Sequence, residues 1–96
     1  MSFAEHETHH QRRDILDILA LQNDYAQNQL VVKDCLKMIG HTVSSDKVVT
    51  EFHWLKEQGL IEINNVGDFH VAKLTERGLD VAEGASAVPG IARKGV

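Results

Sequence analysis

The run Val48-x-x-x-Phe52-x-x-Leu55-x-x-x-Gly59-Leu60-Ile61 restricts the fold more than any other stretch of the chain. Apolar residues at i, i+4 and i+7 line one side of an α-helix. Glycine stops such a helix readily, because it accepts the left-handed backbone that a helix end requires. Leu60–Asn64 and Phe69–Leu74 then read as two strands. Asn65-Val66-Gly67-Asp68 between them has the length and composition of a hairpin turn.

The preceding chain supplies two more helices. Arg12–Gln22 carries Ile15, Leu16, Ile18, Leu19 and Leu21, a broad apolar stripe. Asn28 is placed to cap a second helix over Gln29–Ile39, Gly40 to end it, and His41-Thr42-Val43 to form a turn. Ser44 or Ser45 caps the third helix, and Asp46 in its first turn suits the helix dipole. Thr75, with Arg77 and Gly78, opens a last short helix to about Glu83. The predicted order is α-α-α-β-β-α with an extended tail: an α+β, mostly α, winged helix-turn-helix. Residues 1–11 read as a flexible N-terminal arm, 12–83 as the winged-helix domain and 84–96 as the tail.

Ninety-six residues suffice for one small domain with a single core. No apolar stretch approaches the roughly 20 residues that span a bilayer, and Glu5 and Glu7 do not suit a signal peptide. Cys35 is the only cysteine, so no internal disulfide forms, which suits a reducing cytoplasm. The formal net charge of −4 opposes strong non-specific binding to nucleic acid.

Four segments carry a family resemblance: Gly40-His41-x-Val43-Ser44, Trp54-Leu55-x-Glu57-Gln58-Gly59-Leu60, Leu74-Thr75-Glu76-Arg77-Gly78-Leu79-Asp80-Val81-Ala82, and Val88-Pro89-Gly90. Together they resemble the small winged-helix proteins of Mu-like phages and prophages, often labelled ArsR-type transcriptional regulators. The resemblance implies the winged-helix fold and a regulatory role.

On this reading Val48, Phe52 and Leu55 of the third helix face the core, and Ser45, Asp46, Lys47, Thr50, Glu51 and His53 face solvent. The expected DNA-binding residues are Ser44, Ser45, Lys47, Thr50 and His53, with Asn65 at the hairpin tip and Lys73 on its return strand. Asp46, Glu51 and Glu57 outweigh Lys47 and Lys56, so the helix is net acidic. Trp54 belongs at the edge of the core. A homodimer is expected through Ile15, Leu16, Leu19 and the last helix, with double-stranded DNA as partner. The competing reading is a protein-interaction module without DNA binding, serving a phage or host partner. Cys35 lies alone on an apolar face, and His6, His9 and His10 belong to a polar arm, so no metal or cofactor is expected. No phosphate loop or nucleophile motif points to an enzyme.

Overall fold

The computed structural model describes residues 2–95. Four helices, α1 (Phe3–Ala20), α2 (Gln29–Met38), α3 (Ser45–Glu57) and α4 (Glu76–Glu83), surround one side of a small antiparallel sheet. Its strands are β1 (Ala26–Asn28), β2 (Ile61–Val66) and β3 (Phe69–Leu74), in the spatial order β1-β3-β2. The molecule is therefore α+β and mostly helical. The hairpin pairs Ile61 with Leu74 and Val66 with Phe69, and Gly67 at its tip has φ +60°.

The first helix starts much earlier than expected. Residues 3–11 are not a flexible arm but the N-terminal half of α1. Ser2 Oγ accepts from the Glu5 amide at 3.1 Å, and Glu5 in the first turn complements the helix dipole. Thr8 and Arg12 then tie this half of the helix to α3.

Strand β1 also departs from the expected order. Ala26-Gln27-Asn28 is too short and too polar to show an alternating pattern. It becomes a strand because a short 3₁₀ turn, Asn23–Tyr25, lays it beside β3, with Ala26 opposite Lys73 and Asn28 opposite Val71. Asp24 and Tyr25 take positive φ (58° and 56°) in that turn. Asn28 ends β1 and caps α2 at once, its Oδ1 accepting from the Leu30 and Val31 amides.

The core joins Ile15, Leu16 and Leu19 of α1 to Val32 and Leu36 of α2, Val48, Phe52 and Leu55 of α3, and Leu60, Ala72 and Val81. Ile15, Leu16 and Leu19 are thus at most 1% exposed and offer no surface to a second copy. The broad stripe on α1 has an internal explanation: α2, β3 and α4 all pack on this central helix. The tail is ordered as well. Val88 and Ile91 are buried in the same core, and the Ala92 amide donates to the His9 carbonyl.

Helix α4 lies very close to the α3–β2 junction. The Thr75 hydroxyl donates to the Gly59 carbonyl at 2.7 Å and also accepts the Gly78 amide at 3.0 Å, capping α4. A Cβ on Gly78 would stand 1.9 Å from the Leu60 carbonyl oxygen, which itself accepts the Thr75 amide. Gly78→Ala should therefore destabilise the domain by about 1–3 kcal/mol or more in urea unfolding, although alanine is the better helix former. Phe52→Ala should cost about 3–5 kcal/mol, whereas Thr50→Ala should change stability by less than about 0.5 kcal/mol. A Gly78→Ala protein as stable as wild type would refute the close approach.

Candidate nucleic-acid interface

Helix α3 and the turn before it are held from several sides. His41, in the turn after α2, sits 2.6 Å from Asp14 Oδ2 through its Nε2, which fixes the turn to α1. Ser44 Oγ accepts the Lys47 amide at 3.0 Å and so is occupied as the N-cap. Ser45 is half-buried.

Glu51 is buried at 3% exposure, not in solvent as the sequence suggested. It lies on the side of α3 that faces α1. Arg12 Nε donates to its Oε1 at 2.7 Å and Lys47 Nζ to its Oε2 at 2.6 Å. Lys47 donates further to Thr8 Oγ1 at 3.1 Å. A buried carboxylate needs such compensation, because desolvating an unpaired charge is very unfavourable. Arg12 also spans Trp54, its guanidinium 3.7 Å from the ring centroid, and donates to the Gly90 carbonyl at 3.0 Å. Trp54 is accordingly half-buried at the edge of the core. Gly90 has φ +95°, and a Cβ there would come within 2.8 Å of the Trp54 ring.

Both expected DNA-binding lysines are thus engaged within the fold. Lys47 is held by Glu51 and Thr8, and Lys73 pairs with Asp24 at 3.0 Å, beside the 3₁₀ turn and away from the hairpin tip. Asn65 is exposed on the hairpin. Thr50 and His53 are exposed on α3 and share an outward stripe with Asp46 and Glu57. The His53 ring meets His70 edge-on at 5.9 Å, and Gln29 Oε1 accepts from the His70 amide and from its Nδ1. These contacts join the tip end of the hairpin, where His70 pairs with Asn65, to α3 and to the start of α2.

Lys33 and Lys37 were missed. They stand one turn apart on α2 and, with Asp34, Thr42 and Val43, line a groove of about 210 Å³ beside the turn into α3. Neither makes an ion pair among the described residues, and nor does Lys56, Arg77 or Arg93. The i, i+4 lysine spacing was the available signal, hidden because α2 reads first as a core helix.

Among the described residues no group of three or more His, Cys, Asp or Glu side chains is placed to hold a metal ion. No described helix is long and apolar enough to cross a membrane.

No protein-family profile matches the chain. Over 66 residues it is 46% identical to the uncharacterized protein gp26 of Escherichia phage Mu, an alignment covering 69% of each chain. The chain belongs to the family of phage Mu gp26. An uncharacterized protein of Haemophilus influenzae is similar too, 40% identical over 80 residues, with 82% of this chain and 78% of that protein covered. The relation to Mu-like phages that the four sequence segments implied is supported by gp26.

In this gp26 relative the Arg12–Glu51 pair is a direct test of how α3 is seated. Arg12→Ala leaves Glu51 with Lys47 alone and exposes the Trp54 face. Unfolding in urea should show a loss of about 3 kcal/mol, with a changed Trp54 emission in the folded state. An unchanged midpoint and spectrum would show that the pair does not hold α3.

Proposed function

We propose that the chain is a winged helix-turn-helix protein that binds duplex DNA and acts as a phage or prophage transcriptional regulator, in the manner the ArsR-type label suggests. Helices α2 and α3 form the helix-turn-helix, and the β2–β3 hairpin is the wing. The observation that carries the reading is the division of labour around α3. Its Val48, Phe52 and Leu55 side is packed in the core, whereas Asp46, Thr50 and His53 are exposed, and Lys33 and Lys37, which have no ion pair among the described residues, line a groove at the turn before it. Docking α3 into a major groove would set the two lysines against phosphates and leave Thr50 and His53 to meet base edges. Asn65 would lie near the backbone at the wing. A regulator of this kind works as a dimer, with two α3 helices about 34 Å apart on one face of the duplex.

A second reading, a protein-interaction module, is favoured by a different surface. Leu21 and Met38 are more than four-fifths exposed, and with Ile39 they rim an apolar groove floored by Ile18 and Cys35. The acidic balance of the chain also favours it.

Fluorescence anisotropy with DNA from upstream of the chain's own coding sequence separates the two. Binding should appear at 50 mM salt and weaken steeply towards 150 mM. The double change Lys33→Ala with Lys37→Ala should weaken binding on all sequences and shallow the slope of log K against log salt by about two counterions. Lys47→Ala should have the smaller effect, because Glu51 holds that lysine. No binding at tens of micromolar protein would leave the interaction-module reading.

A further inference from the structure

We infer that Asp46 determines sequence specificity by accepting a hydrogen bond from the exocyclic amine of a cytosine. This inference rests on the DNA-binding reading above. Asp46 lies in the first turn of α3, is exposed, and shares the outward stripe with Thr50. It has no ion-pair partner among the described residues. The capping role at this helix end belongs to Ser44, whose Oγ accepts the Lys47 amide, so Asp46 is not needed as a cap. Lys33 and Lys37, with Asp34 between them, line a groove at the turn that leads into this end of α3, and the two cations would help to draw it towards the duplex.

A carboxylate carried into a major groove meets mostly acceptors. Guanine offers N7 and O6, and thymine offers O4, all of which repel it. Adenine offers an amine, but its N7 acceptor stands beside that amine and opposes the second carboxylate oxygen. Cytosine offers an N4 amine with no acceptor on its own edge, and so is the base that a carboxylate tolerates best. A negative side chain at this position therefore rejects three bases and accepts the fourth. It also lowers affinity for unmatched DNA, so an acidic protein would bind poorly except at its preferred site.

The test is selection of duplexes from a randomised pool by the full-length chain and by Asp46→Asn, with circular dichroism to show that both are folded. The wild type should recover sites with an invariant cytosine. In Asp46→Asn that position should lose cytosine or turn to adenine, which an amide reads through paired donor and acceptor groups. Affinity for the cytosine site should fall about tenfold or more, the usual scale of one direct base contact, while affinity for random duplex holds or rises. If the wild type and Asp46→Asn recover the same sites with equal affinity, Asp46 serves only the helix dipole and the inference is overturned, although DNA binding stands. If neither protein retains any duplex at 50 mM salt, the DNA-binding reading fails and this inference fails with it.

Discussion

Much of this structure depends on one buried carboxylate. Glu51 sits inside the fold between Arg12 of the first helix and Lys47 of its own helix. Because Arg12 also lies across Trp54 and holds the Gly90 carbonyl, a single guanidinium joins α1, α3 and the tail. Arg13 does the same on the neighbouring side of α1. It donates to the carbonyls of Val81 at the end of α4 and of Ala92 in the tail. Two consecutive arginines thus bind carbonyls of the irregular tail and of the α4 end, where the Val81 carbonyl also accepts the Gly84 amide. Such pairs add little net stability over apolar substitutes, but breaking one side of them is strongly unfavourable. Their effect is to fix where α3 and the tail lie.

This arrangement changes how the charges should be read. Counted along the sequence, α3 is an acidic helix in which Asp46, Glu51 and Glu57 outnumber Lys47 and Lys56. In the fold, Glu51 is buried and neutralised by Arg12 and by the half-buried Lys47, and the outward stripe presents Asp46, Thr50, His53 and Glu57. The cations without an ion pair near that helix, among the described residues, are Lys33 and Lys37 of α2 and Lys56 at its own C-terminal end. A surface that carries Asp46 and Glu57 among polar groups, with Lys33, Asp34 and Lys37 on the neighbouring helix, suits selective recognition better than general affinity for phosphate.

The parts of the fold that were legible in the sequence are those with local causes. The spacing of Val48, Phe52 and Leu55, the Gly59 stop, the Asn28 and Thr75 caps and the hairpin turn each act over a few residues. What could not be read was decided by distant partners. Strand β1 exists only because β3 is beside it, and the first turns of α1 read as a polar arm because their apolar content is low. The burial of Glu51 depends on an arginine 39 positions away. The same holds for the candidate site. Thr50, His53 and Asn65 are exposed as expected, whereas Ser44 is used as a cap, Lys47 is held by Glu51 one helical turn on, a spacing that does allow the pair, and Lys73 is engaged by Asp24, 49 positions away, which strand periodicity cannot reveal. Ile15, Leu16 and Leu19 had the composition of an interface and turned out to be the centre of the core.

The central claim is that the α2–turn–α3 face is the one that meets a partner, and that the partner is duplex DNA. Backbone amide chemical shifts of the full chain, followed by NMR while upstream duplex is added at 50 mM salt, test it most directly. The account predicts changes concentrated at Lys33, Lys37, Thr42, Asp46, Thr50 and His53, with smaller ones at the hairpin around Asn65. Changes confined to the apolar corner of Leu21, Met38 and Ile39, or a spectrum that does not move, would contradict it.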